Sequence, residues 1–416
     1  MRIGQAIKKH ELVDTLLNLG ANARICTLTE PMWAIPFFLY SPFISVYMSA
    51  LGLSDAMIGA VGTIYLVSQV VFSLLSGALA DKLGRRLCTF LFDMLSWSVP
   101  ALLWALAQNV WWFVAAAVFN GAMRITVNSW QLLLVEDEED RALVKMFALI
   151  HIAANFSAFA VLLSYPLVQR FGLVPTVRGL HVFSFVSMTT KFIILYRWGR
   201  ETRNGYRRME ETSGRSLWSL LKENKGMLQR MFHTPKVMWT MGLLACWSGS
   251  KILTDTFWPL LVVERMAIPE ANLAFFSAAR AAIMLVCFFV ISPRISVERF
   301  KRPLALCFAI QIAAKLLLIA APPGALWLLW VTLAMEALSF AMLNPLTDSL
   351  QVLCMDAHRR AQMMGLFFAA MTLVTSPLGT VGGLLSGVSR ALPFALAALL
   401  CALAIWIGRR IQLEQE

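Results

Sequence analysis

Gly77-Ala78-Leu79-Ala80-Asp81-Lys82-Leu83-Gly84-Arg85-Arg86 is the stretch on which the fold turns. Two glycines, one aspartate and three basic residues lie between long apolar runs, near Met57 to Leu79 and Leu87 to Leu106. Runs of about 20 apolar residues are long enough to cross a bilayer as helices. A polar turn this short joins neighbours that run antiparallel, so the stretch reads as a hairpin between two membrane spans.

The same pattern repeats outward in both directions. Twelve apolar stretches can be placed, the first near Pro31 to Leu51 and the last near Ala391 to Gly408. They are too long for the strands of a membrane barrel, and only helices or closed barrels satisfy backbone hydrogen bonds in hydrocarbon. Composition agrees. At 59% hydrophobic and 14% charged residues, the chain carries more apolar surface than a water-soluble core absorbs. The expected fold is an all-α polytopic membrane protein, with twelve transmembrane helices in two similar six-helix bundles.

The expected organisation is an N-terminal segment (1–29), a first bundle (30–198), a polar linker (199–236), a second bundle (237–410) and a short tail (411–416). Basic residues concentrate in the linker and on the hairpin side, with Arg170, Arg178, Arg265 and Arg390 on the other side. The positive-inside rule then puts the hairpin and both termini in the cytoplasm of a multi-pass cell-membrane protein. The net charge of +12 follows from basic residues facing anionic lipid headgroups, so membrane lipid is the expected partner and nucleic acid is not.

The hairpin resembles the signature loop of the major facilitator superfamily: a glycine, a small or apolar run, an aspartate, a basic residue, a second glycine and two basic residues. Gly77 is expected to permit close helix packing, Gly84 a tight reversal, and Asp81 a meeting with basic groups. With Arg85 and Arg86 these form the expected gate. A weak internal match at an offset of 219 supports a duplicated unit, pairing Asp137 with Asp356, Arg141-Ala142 with Arg360-Ala361 and Phe147 with Leu366. The counterpart of the hairpin, Ser292 to Arg302, keeps basic residues and loses the glycines and the aspartate.

Charges inside the spans carry the functional expectation, because an ionised group at the bilayer centre costs at least about 2.5–3.5 kcal/mol. Five cations (Arg124, Lys191, Lys251, Arg280, Lys315) and four carboxylates (Asp93, Asp255, Glu336, Asp348) fall there. Lys191 lies within reach of the basic end and is expected to snorkel, and Asp93 and Asp348 also lie near span ends. The resemblance implies that spans one, four, seven and ten line a central cavity. That would place Arg124, Lys251, Asp255 and Glu336 around it.

Lys251 and Asp255, four residues apart, are expected to pair. A carboxylate that trades cationic partners during a conformational change can load and release a proton. Glu336 is the candidate, with Arg280 and Lys315 as partners. A static ion-pair network that fixes helix packing accounts for the same residues. Tyr40, Trp130 and Trp258 add an aromatic lining suited to an amphipathic solute, although aromatic residues also serve as packing and interface anchors.

Thr27, Glu30 and Pro31 have capping spacing and read as the start of span one. Ser376-Pro377-Leu378-Gly379, with Gly382-Gly383 and Gly387, marks span eleven for a bend or for close packing. Span five has small residues around Ala153 to Ala160 but neither glycine nor proline there, which counts against multidrug export. The seven cysteines show no disulfide or metal spacing. There is no phosphate-cradling GxxxxGK[ST] loop, HExxH helix or dinucleotide fingerprint, so no enzyme activity and no cofactor is expected.

The function these residues support is secondary active transport of a small organic solute by alternating access, coupled to protons, with export slightly favoured over uptake. The alternative is a transporter-like membrane sensor or scaffold that binds ligand without moving it.

Overall fold

The computed structural model describes residues 18–138, 146, 149–150, 152–154, 156–216, 233–290, 301–354 and 360–411. Most of the N-terminal segment, the counterpart hairpin 292–300, much of the linker and the tail lie outside the described residues. So do Arg141, Phe147 and Asp356 of the internal match.

Helices dominate, and among the described residues there is no strand. Among the described residues eleven helices are long and apolar enough to cross a membrane, the first six being Ala21–Ala50, Asp55–Leu83, Arg85–Leu106, Val110–Val135, Ile152–Phe171 and Leu173–Trp198. The second half includes Glu270–Cys287, Lys301–Ala320, Leu326–Asp348, Leu366–Val388 and Leu392–Arg410. The twelfth span, the seventh in order, is Pro235–Leu260. It is 26 residues long and more polar than the rest, because Lys251 and Asp255 lie within it. The architecture is that of twelve membrane helices in two six-helix bundles.

Prolines interrupt these spans, and neighbouring side chains complete the interrupted ladders. Proline lacks the N–H that would bond four residues back. Pro36 leaves the Met32 carbonyl free, and Ser187 of span six donates to it at 2.7 Å. Pro100 does the same to Ser96 beside a π-helical stretch, Met94–Ser98, and Asn120 of span four donates there at 2.6 Å. Span five changes to a 3-10 helix over Phe159–Leu163 ahead of Pro166, and Ser164 donates to Leu39 of span one at 2.8 Å. In lipid, where no water can substitute, such donors are what make a broken helix affordable.

Span one begins earlier than its capping pattern implies. The helix runs Ala21–Tyr40 without a break at Glu30, because Ala23 and Cys26 pack against Leu133, Leu134 and Leu195. Thr27 turns its hydroxyl back to the Ala23 carbonyl at 2.8 Å and caps nothing. Glu30 and Pro31 are therefore interior residues of the helix.

The halves meet along spans two and eleven, and along spans five and eight, where Tyr165 lies 4.4 Å from Phe275. Backbone approaches backbone at the first seam: a Cβ on Gly59 would stand 2.1 Å from the Gly379 carbonyl oxygen, and one on Gly383 would stand 2.3 Å from that of Asp55. These contacts lie toward the end opposite the Asp81 hairpin.

Candidate functional site

At the hairpin end, Gly84 adopts φ +79°, a left-handed conformation that side chains rarely take, and so turns the chain from span two into span three. Asp81 pairs with Arg85 at 2.9 Å and with Arg208 at 2.7 Å. Arg85, 3% exposed, also pairs with Glu136 at the end of span four at 3.0 Å. Arg208 belongs to a short linker helix, Arg203–Thr212, and the hydrogen bonds it donates to Asp81 and then to Glu211 hold its guanidinium above its ordinary pKa.

The linker is anchored at two further points. Glu201 accepts from the Arg85 and Arg86 backbone amides at 2.8 and 2.9 Å, putting a carboxylate on the free N–H groups that open span three. Thr202 and Asn204 both donate to Glu136. Arg86 donates to the Tyr196 carbonyl at 2.9 Å and lies 4.5 Å from that ring. Gly77 departs from expectation: nothing lies within 4 Å of a Cβ built there, so it permits no close packing.

The opposite end holds an ion pair between the halves that the sequence did not reveal. Arg390, between spans eleven and twelve, bonds Asp55 at the start of span two and Glu264 at the end of span seven. Ser49 of span one donates to Glu264 at 3.1 Å. Burial alone would lower the Arg390 pKa, and the hydrogen bonds it donates to Asp55 and then to Glu264 more than reverse that.

Halfway along the second half, Glu336 is 1% exposed and lies between two cations, 3.4 Å from Arg280 and 3.5 Å from Lys315. Lys315 in turn donates to Gln311 at 2.6 Å. Asp255 faces Arg280 at 3.7 Å, and Arg280 lies 5.4 Å from the ring of Trp258. The expected Lys251–Asp255 pair does not form. Four-residue spacing puts both on one face, but Arg280 from span eight takes the carboxylate, and Lys251 extends over Phe340 at 5.8 Å. Both residues are exposed. Charged residues within spans almost always face the bundle interior or a water-filled cavity, not lipid.

In the first half, Arg124 donates to Gln69 at 2.7 Å and reaches across the boundary to lie 3.5 Å from the ring of Phe368 in span eleven. One expectation fails nearby. Lys191 is 4% exposed and does not snorkel; it pairs at 2.8 Å with Glu30, itself 8% exposed. Asp93 is buried beside this pair and accepts from Thr126 at 2.6 Å. Lys191 also lies about equally far from the rings of Trp33 and Trp130.

The aromatic candidates divide. Trp130 is half-buried beside Lys191. Tyr40 and Trp258 are buried in the packing, Tyr40 4.2 Å from His181 and Trp258 5.7 Å from Phe276. The structure thus gathers Asp255, Arg280, Glu336 and Lys315 into one cluster. It leaves Lys251 and Arg124 as separate cations, and adds Glu30 and Gln69 to the residues of interest.

Twelve spans in two bundles around buried charges define a polytopic transporter. The chain belongs to the Major Facilitator Superfamily, whose family model matches residues 33–377. It is 27% identical over 370 residues to the multidrug resistance protein MdtG of Dickeya zeae (strain Ech586), covering 87% of this chain and 86% of that protein. To the inner membrane transport protein YajR of Escherichia coli (strain K12) it is 24% identical over 384 residues, covering 89% and 78%. Among solved structures, the nucleoside transporter NupG shares the fold with a TM-score of 0.71 at 13% identity, over 94% of this chain and 98% of that one.

Proposed function

We propose that this protein is a proton-coupled secondary transporter that exports a small organic solute by alternating access. The observation that carries the proposal is Glu336: a carboxylate almost wholly withdrawn from solvent halfway along span ten, shared by Arg280 of span eight and Lys315 of span nine. A buried carboxylate that can exchange cationic partners as the helices move is the kind of element that ion coupling requires. Asp255 competes with Glu336 for Arg280, so movement of span seven against span eight redistributes that cation.

The bundles 30–198 and 237–410 are the rocking bodies, joined by the linker 199–236. In this conformation the Asp55–Arg390–Glu264 cluster closes one end. The Asp81 hairpin, with Gly84, Arg85 and Arg86, controls the other, which basic residues assign to the cytoplasm. The name multidrug resistance protein carried by MdtG favours export. Span five, without a glycine, obtains its break from Pro166 and the 3-10 stretch before it, so the missing pattern carries less weight against export.

The test is transport by purified protein in liposomes under an imposed pH gradient, over a broad solute panel. Glu336→Gln is expected to abolish gradient-driven accumulation while retaining counterflow exchange. Full gradient-driven accumulation by Glu336→Gln would overturn the coupling role.

A further inference from the structure

The mid-span cations are not all matched. Lys191 has Glu30, Lys315 has Glu336, and Arg280 has both Glu336 and Asp255. Arg124 and Lys251 have no carboxylate within ion-pair distance among the described residues. Arg124 uses one nitrogen on the neutral Gln69 and rests on Phe368; Lys251 is exposed and rests on Phe340.

The carboxylates of the second half are engaged by other cations or lie outside ion-pair distance of these two. Asp255, one turn from Lys251, is held by Arg280, and Glu336 is buried between its two cations. Asp348, exposed on span ten, lies close enough for its charge to be felt by Lys251 but outside ion-pair distance, so the Lys251 ammonium keeps its donors free. A cation in the bilayer interior without a counter-ion is costly, and such residues mark solute pathways. Each of the two also presents an aromatic face, giving a ligand an apolar surface beside the charge.

We infer that the solute is an organic anion, whose acidic group is drawn to Arg124 and Lys251 and whose apolar body lies against Phe368 and Phe340. Guanidinium and ammonium groups donate charge-assisted hydrogen bonds to carboxylate, sulfonate or phosphonate oxygens. A cationic solute would meet a like charge at either residue. The inference rests on the transport reading and narrows it to one substrate class.

Three matched probes test it on purified full-length protein: 1-naphthoate, naphthalene-1-sulfonate and (1-naphthylmethyl)trimethylammonium. The two anions are expected to bind and raise the melting temperature, and the ammonium probe is not. Arg124→Gln and Lys251→Gln should each weaken anion binding by about tenfold, the scale of a lost charged hydrogen bond. Arg124→Lys, which keeps the charge, should retain most of the binding and so separates lost charge from misfolding. Arg409→Gln, at the exposed end of span twelve, should change nothing.

Tighter binding of the ammonium probe, or anion affinity unchanged in both Gln variants, would overturn the inference. In liposomes the two readings separate. Transport of the ammonium probe without anion binding leaves a transporter and ends the anion assignment. Charge-dependent anion binding with no transport of any solute keeps the anion assignment and ends the transport reading.

Discussion

Thr63 of span two occupies the broken turn of span eleven, its hydroxyl donating to the Ser376 carbonyl at 2.7 Å while accepting from the Thr380 amide at 3.0 Å. In an unbroken helix Thr380 would bond Ser376 directly. Pro377 opens that turn, and a hydroxyl from the other half completes it. The bend is therefore part of the contact between the bundles, and parting the bundles at this seam leaves an amide and a carbonyl to find other partners.

Thr63→Val keeps the side-chain shape and removes the bridge. Interhelical hydrogen bonds in membranes average about 0.6 kcal/mol and reach about 1.7 kcal/mol, so loss of the bridge is expected to shift the two-state balance severalfold away from the conformation closed at this end. Spin labels at Ser54 and Ser389 would report it as a growing population of longer distances. An unchanged distance distribution would mean that the bridge does not bias the seam.

Gly59 and Gly383 are expected to tolerate no side chain, because the added Cβ would meet backbone atoms of the opposing half, and a backbone yields less readily than a side chain. Gly59→Ala and Gly383→Ala should each separate spans two and eleven and reduce transport at least about fivefold, in line with the roughly 1–3 kcal/mol that overpacking costs. Gly387→Ala is the control, since nothing lies within 4 Å of its position. Equal activity in all three would show that the seam has slack that the backbone distances do not suggest.

Fold and site were legible in the sequence to different depths. Length and apolarity identify a span locally, and even the polar seventh span was recoverable because its flanks are apolar. Glu30 was not recoverable. Thr27, Glu30 and Pro31 carry the same local spacing whether they begin a helix or continue one, and the deciding contacts, from Leu133, Leu134 and Leu195, lie far along the chain. Lys251 and Asp255 failed similarly: spacing shows which residues share a face but not that Arg280 on another span competes for the carboxylate. The acidic end of span four was visible beside the basic hairpin, and Glu136 could have been matched to Arg85 from complementary charge alone.

The Glu30–Lys191 pair yields a stability prediction. Removing one member of a buried pair leaves the other uncompensated, at a cost of about 3–5 kcal/mol, whereas replacing both by apolar residues of similar size is often neutral. Glu30→Gln and Lys191→Met should each lower the melting temperature in detergent, and Glu30→Leu combined with Lys191→Met should recover most of it. Asp93, buried beside them, is the complication: if it relies on Lys191 for charge compensation, recovery requires Asp93→Asn as well. Single variants that melt like wild type would show that the pair is not held together as the structure has it.

The two glycines of the hairpin signature should behave oppositely. Gly84 combines a positive φ with a crowded neighbourhood: its Cβ would stand 2.6 Å from Glu201 Oε2 and 2.7 Å from the sulfur of Met209. An alanine there is held in an extended positive-φ region essentially reserved for glycine, at a cost of about 1–3 kcal/mol, and pushes Glu201 from the amides of Arg85 and Arg86. Because Glu201 begins the anchored part of the linker, Gly84→Ala should also loosen the Arg203–Thr212 helix, read as faster amide exchange across it. Gly77→Ala, with open space around it, should leave exchange and melting unchanged. If both variants behave like wild type, the linker helix is held by the Arg208–Asp81 pair and the Glu136 contacts alone, and Arg208→Ala should then release it. If Gly77→Ala is the more damaging, the space beside Gly77 is filled in another conformation of the transport cycle, and transport rather than melting should register the loss.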